Sequence, residues 1–463
     1  MKIQLKYFLL ILIMTSCSTT RNWQSEQNDN TLYATFEEFN GKENIKIKED
    51  SSQIAYLSYF TNTTSGNISL EVNRDNFKFY PNKTIHLKTD LNTPLYVKIT
   101  GEAAKGEFKL EYPTYKRPKI QVLYNSNFEL LSLAFFLSNM YQNLKENEST
   151  FDYEGRKVKV KELYGLNLKI AEKFKNFQTS ESLKVLDEFF QKRWYLDYTK
   201  YVLNLPELPN SSFRQESLDF QDVFESIEEE RRFFTALRGF YKEINFDVFL
   251  EEYQPFYDKM IQEVNNNLPE EDFITEMEHL YAKKANGYFL NASLTMPFSQ
   301  GFAITKSDRI GYVFGSLTLP LEINDLNNLK LGYSNSSELR NISVHEFGHS
   351  FVNPVIDKIE DSLIDDKKHL FEPIKEKMSE QAYSSWKITL YEHFVRAGEI
   401  FIAEQLGDYE TATKLSKDYI EKRQFIYLKQ IIPAMRNWYN EEYFSKSYSN
   451  FVKETIENLK FES

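Results

Sequence analysis

Two of the chain's six histidines stand four positions apart in NISVHEFGHSFVNP (341–354), with a glutamate directly after the first. On an α-helix, residues four apart share a face about one turn apart, so His345 and His349 can aim both imidazoles at one point. That is the donor geometry a tetrahedral Zn²⁺ takes from a helix. Glu346 projects about 100° further round, beside such an ion rather than onto it, where it can accept a proton from water polarised by the metal. Two ligands and a general base thus fall within five residues. Six histidines scattered at random would produce about 0.01 such matches, even with every Asp and Glu accepted as the acid, so the pattern is read as chemistry.

A catalytic zinc needs a third protein ligand and keeps its fourth position open. The metzincin pattern would continue with glycine and histidine, but Val352 and Val355 occupy those places. The motif instead resembles that of the gluzincins, and the resemblance implies a carboxylate from a later helix. The run TLYEHFVRAGEIFIAEQLG (389–407) has helical spacing and carries the candidates. Glu392 is the first choice, one turn ahead of Arg396, which can hold or neutralise a neighbouring carboxylate. Glu399 and His393 remain alternatives. His369 lies in a Lys-rich segment that reads as solvated surface. Tyr383, Tyr391 and His393 are the near candidates for a second donor to the oxyanion.

HEFGHSFVNP followed by YEHFVRA also resembles an uncharacterised group of bacterial proteins, catalogued as a domain of unknown function and regarded as peptidases. The resemblance implies a zincin-like metallopeptidase domain over 118–463 and supports Glu392. It implies no particular substrate.

The elements that must position these residues follow from periodicity. Ser336 and Ser337 offer N-caps ahead of Leu339, Ile342 and Phe347, and Asn353-Pro354 disfavours continuation, which predicts a helix of three to four turns. Strand-like alternation at GYFLNASLTMPF and GFAITKSDRIGYVFGSL (287–317) predicts a small sheet beside it, and the segment from Ala292 to Thr305 could supply an edge for an extended substrate. Long stretches such as 128–147, 182–205 and 224–244 repeat apolar residues at helical spacing, and His279 belongs to the same kind of helix. Upstream, 31–115 alternates with period two between turn residues and predicts a β-sandwich module; His86 sits on one of its strands. LYVKITGEAAKGEFKLEYP (95–113) resembles the last hairpin of the small sandwiches fused to secreted peptidases. The fold class is α+β, a β-sandwich followed by a mainly helical domain with a small sheet.

The first residues, MKIQLKYFLLILIMTSC, combine Lys2 and Lys6 with an apolar run from Tyr7 to Met14 that is too short to span a bilayer. They resemble a bacterial lipoprotein signal (1–17) ending at the chain's one cysteine. Lipidation of Cys17 would then tether the protein, through a polar linker at 18–30, to the cell envelope, at the outer membrane facing the periplasm. A net charge of −12 without a basic stripe speaks against nucleic-acid binding. The expected activity is zinc-dependent hydrolysis of peptide bonds in the cell envelope. The alternatives are an anchored binding lipoprotein with a vestigial site and a zinc hydrolase of non-peptide bonds.

Overall fold

The computed structural model describes residues 19–73, 75–77, 84–116, 119–153, 155–213, 223–269, 272–306, 308–325 and 328–461. The signal segment 1–17 with Cys17, and Arg117 and Pro118 of the expected boundary, lie outside the described residues. Two compact units emerge, one of 1–118, 275–282 and 355–463, the other of 119–274 and 283–354.

The first unit opens with eight antiparallel strands: β1 (Thr19–Arg21), β2 (Gln24–Asn28), β3 (Thr31–Ile47), β4 (Gln53–Val72), β5 (Asp75–Phe77), β6 (Thr84–Asp90), β7 (Leu95–Glu111) and β8 (Thr114–Lys116). They form one continuous hydrogen-bonded sheet in the order β1-β3-β7-β4-β5, with β2 on β3 and with β6 and β8 on β4. Period-two burial along the long strands, as at Leu95, Val97 and Ile99, turns one row of side chains inward. Residues from both halves of β3, β4 and β7 share a single core, with Phe36, Phe39, Phe108 and Tyr59 among its largest members.

Two expectations about this region change. Residues 18–30, read as a linker, carry β1 and β2, which pair with β3. Every side chain of β2 is exposed, so the strand carries no apolar alternation for a sequence reading to find. The segment 95–113 is not a hairpin, because β7 runs unbroken to Glu111. Gly106, inside that segment, sits at φ 144° where the register of β7 against β4 shifts. A Cβ there would lie 2.1 Å from the Asn62 carbonyl oxygen, so the glycine serves a bulge and a close strand approach rather than a reversal.

The same unit contains the helices after Val355, and β6 is packed against them. His86 Nδ1 accepts from Ser58 Oγ at 2.8 Å, and its Nε2 donates to the Tyr439 carbonyl at 2.8 Å. His279, fully buried, stacks on Tyr56 at 4.3 Å and on Tyr443 at 5.3 Å, and its Nδ1 meets Tyr439 Oη at 3.1 Å. Lys88 and Glu276 pair 3.2 Å apart in this region. Burial pushes His86 down from 6.5 to about 4, against the opposing pull of the Tyr439 carbonyl, and pushes His279 well below its ordinary value. Both are therefore neutral in the folded protein at pH values where the unfolded chain is already protonated. Stability is unaffected above pH 6.5 and falls as pH drops from there toward about 4. A urea midpoint clearly lower at about pH 5 than at about pH 7.5 is expected, and equal midpoints would remove these histidines from the account.

The second unit holds the small sheet. Its strands are β9 (Ile120–Leu123), β12 (Tyr288–Ala292), β13 (Gly301–Lys306) and β14 (Arg309–Phe314), in the order β13-β14-β12-β9. A separate hairpin pairs β10 (Thr150–Tyr153) with β11 (Arg156–Lys159). β14, β12 and β9 are parallel to one another, while β13 is antiparallel to β14 and forms one edge. β9 is a four-residue strand that the helical pattern after residue 118 conceals. Helices fill the rest of the unit, including Ser126–Phe135, Ile227–Glu243 and Phe246–Asn266. Among the described residues no helix is long and apolar enough to cross a membrane.

Candidate metal centre

The HEFGH motif lies on the helix Ser336–Ile356, longer than its sequence predicts at both ends. Asn335, one residue before the expected serines, caps it by accepting from Glu338 N at 3.0 Å. At the far end Pro354 falls inside the helix rather than stopping it. Proline has no N–H to give the carbonyl four residues back, and Lys283 Nζ donates to that Ser350 carbonyl at 3.3 Å instead. The interior break therefore carries less cost than the sequence suggests.

The helix is fixed to the small sheet by side chains on either side of the motif. Phe347 packs on Tyr288 and Tyr312, with ring centroids 5.1 and 5.5 Å away. Tyr312 Oη and Ser343 Oγ share a hydrogen bond of 2.8 Å, and Thr305 Oγ1 donates to Ser350 Oγ at 3.1 Å. With Gly301 beside Glu346 and Thr305 beside Ser350, β13 runs alongside the turns that carry the motif.

The two imidazoles converge as the spacing predicts. Their Nε2 atoms are 3.3 Å apart, with the rings perpendicular. Two nitrogens each ~2.05 Å from one zinc at a tetrahedral angle stand about 3.3 Å apart, so the donor pair is already at ligand spacing. His349 Nδ1 lies 3.2 Å from Asn353 Oδ1, which can only accept, so that nitrogen carries the hydrogen and Nε2 presents its lone pair. In the sequence Asn353 reads as part of a helix stop, yet its i+4 spacing from His349 is the local signal for this role.

Glu346 is buried and faces Gly301. A Cβ at 301 would stand 2.6 Å from Glu346 Oε1 and 3.0 Å from Ile342 Cδ1. Only a residue without a side chain leaves the carboxylate where it is. Because the near atom is the movable end of Glu346, Gly301→Ala should fold normally and displace the carboxylate. For a zinc hydrolase that uses Glu346 as its base, turnover would fall about 10- to 100-fold with metal content unchanged, measured as zinc per chain beside hydrolysis rate.

Glu392 sits on the helix Trp386–Gln405, which begins at Ser385, whose Oγ accepts from Ile388 N at 3.3 Å. It is buried, and Arg396 Nη2 donates to its Oε2 at 3.0 Å. The same guanidinium donates to Tyr383 Oη at 3.1 Å and lies over the rings of Tyr419 and Phe425, 4.5 and 4.6 Å from their centroids. Each of His345, His349 and Glu392 offers one ligand atom to a common group, all within 4.8 Å of one another.

The alternatives are engaged differently. Glu399 accepts a short hydrogen bond from Tyr419 Oη. His393 donates from Nδ1 to the Thr389 carbonyl at 2.8 Å, faces Phe425 and Tyr427, and is pushed down to about 4 by burial. His369 is exposed and meets the Asp366 carbonyl. Of the possible second donors, Tyr391 is committed to Asp357, while Tyr383 is joined to Glu392 through Arg396.

The residues fit a divalent cation on donor chemistry and spacing alike. No curated protein and no solved structure matches the chain. A family model described as a domain of unknown function (DUF4932) matches residues 120–458, and the chain belongs to that family.

Proposed function

We propose that the protein is a zinc-dependent peptidase. The observation that carries this reading is the 3.3 Å separation of the two imidazole Nε2 atoms, with Glu392 in the same ligand group. His345, His349 and Glu392 would hold the ion. A bound zinc supplies Lewis acidity there, toward water and toward an amide carbonyl. Glu346 takes the proton of the attacking water and passes it to the departing amide nitrogen. Gly301 gives that carboxylate its room. Asn353 keeps His349 in the tautomer that can ligate.

An extended peptide is favoured over a sugar or a small ester because β13, an edge strand, runs beside the motif. A peptide added there would hydrogen-bond as a further strand, which brings its own carbonyls past Glu346. Of the expected edge over 292–305 only 301–305 belongs to the edge strand β13, since Ala292 ends the interior strand β12. The N-terminal sequence adds the proposal that a lipid on Cys17 holds the enzyme at the bacterial outer membrane, facing the periplasm.

The test is metal content. Full-length protein purified without chelator is expected to contain, or take up, one zinc per chain by elemental analysis. His345→Ala and His349→Ala should each lower zinc affinity by several orders of magnitude. Folded protein that holds no stoichiometric transition metal and binds none would end the proposal.

A further inference from the structure

Arg423 stands next to the Glu392–Arg396 pair, joined to it through Tyr383, and is not one of the candidate ligands. It follows the π-helical turn Asp418–Lys422, and the next residue, Gln424, is held at φ 59°. Ala382, next to Tyr383 on the facing segment, is likewise held at φ 70°. A non-glycine residue in the left-handed region is strained, and backbone kept there is over-determined by its surroundings.

Those surroundings fix one guanidinium. Gln381 grips Arg423 twice, accepting from its Nε at 2.7 Å and donating to its carbonyl at 3.0 Å. The cation lies over the rings of Phe425 and Tyr419, 5.4 and 5.6 Å from their centroids, and its Nη2 donates to Tyr383 Oη at 3.4 Å. Arg423 is only half-buried. Among the described residues no carboxylate pairs with it and nothing meets its Nη1, whereas Arg396 has its Nη2 shared between Glu392 and Tyr383. A guanidinium cannot shed its charge, so this is a fixed, oriented cation with one side of its fork unused.

Its place relative to the metal centre follows from three contacts in series. Glu392 to Arg396, Arg396 to Tyr383 and Tyr383 to Arg423 measure 3.0, 3.1 and 3.4 Å. Arg423 Nη2 is therefore within roughly 10 Å of the candidate ligand oxygen, about the reach of three extended residues. The guanidinium fork matches a carboxylate in two parallel hydrogen bonds, and holding it rigid beforehand lowers the ordering cost of that contact.

We infer that Arg423 is an anion-recognising subsite that reads a carboxylate on the substrate, close to the bond being cut. The substrate class becomes a peptide with a free C-terminus, or with an acidic side chain, within about three residues of that bond. This rests on the peptidase reading for its meaning but not for its test.

Binding of N-acetyl-dialanine and of its C-terminal amide to the full-length protein is to be compared by calorimetry, with and without added zinc. A second pair, glutamyl and glutaminyl peptides both amidated at the C-terminus, separates a side-chain carboxylate from a terminal one. In at least one pair the acid is expected to bind ten-fold or more tightly than its amide. Arg423→Gln should abolish that preference, and Arg423→Lys should keep part of it. Equal binding of acid and amide to the wild-type protein overturns the inference without any variant. So does a preference that survives in folded Arg423→Gln, since the metal would then be reading the carboxylate. A zinc-free protein that still shows the Arg423-dependent preference would instead overturn the peptidase reading and leave the subsite standing.

Discussion

Glu346→Gln is expected to leave zinc binding stoichiometric and to cut peptide hydrolysis by about 10²- to 10⁴-fold, the usual contribution of a positioned general base. The amide has nearly the shape of the carboxylate and fits the same space beside Gly301, so neither fold nor ligand geometry has reason to change. What it lacks is basicity. The two imidazoles are on the same helix but aimed elsewhere, with their Nε2 atoms 3.3 Å apart, and Glu346 is outside the group formed by His345, His349 and Glu392. The expected pattern is therefore a separation of metal content from turnover, read by elemental analysis beside a cleavage assay on a mixed peptide library. Joint loss of both would make Glu346 a ligand rather than a base. Undiminished hydrolysis would show that the proton goes elsewhere.

How much of this was legible in the sequence depended on whether the information was local. His345, Glu346 and His349 lie close together on a single helix, so spacing alone predicts that the two imidazoles converge, and their Nε2 atoms stand 3.3 Å apart. Helical phase also pointed to Glu392 ahead of Arg396, and their 3.0 Å contact is a one-turn interaction of the same kind. The α+β class was equally visible, because period-two and period-3.6 patterns occupy different parts of the chain. Features that failed to show were those set by distant partners. Pro354 reads as a stop because nothing near it in sequence announces Lys283, which satisfies the carbonyl that proline leaves open. The stretch 95–113 reads as a hairpin because the Asn62 carbonyl that forbids a side chain at Gly106 is on another strand. The all-exposed strand β2 reads as a linker because only its backbone takes part in the sheet. His86 and His279 look like separate surface and helix residues until the fold brings both against Tyr439.

Arg396→Met is the variant with the largest expected effect on stability, and its size should depend on zinc. The guanidinium is almost wholly buried, 3.0 Å from a buried carboxylate, and enclosed by Tyr419 and Phe425. Methionine fills part of the volume but removes the guanidinium charge from beside Glu392, a change that costs about 3–5 kcal/mol when one partner of a buried pair is removed. That cost applies in full to metal-free protein. Once a divalent cation takes Glu392 as a ligand, the ion itself supplies the opposing charge, and the penalty should shrink. Since a ligand stabilises whatever state it binds, zinc is expected to raise the melting temperature of Arg396→Met by more than it raises that of the wild type. Glu399→Gln provides the contrast, because its carboxylate accepts from Tyr419 Oη and lies outside the metal-ligand group. Its destabilisation should be the same with and without zinc. If the Arg396→Met penalty is also indifferent to zinc, Glu392 is only an internal counter-ion for Arg396, and the third ligand has to be sought elsewhere.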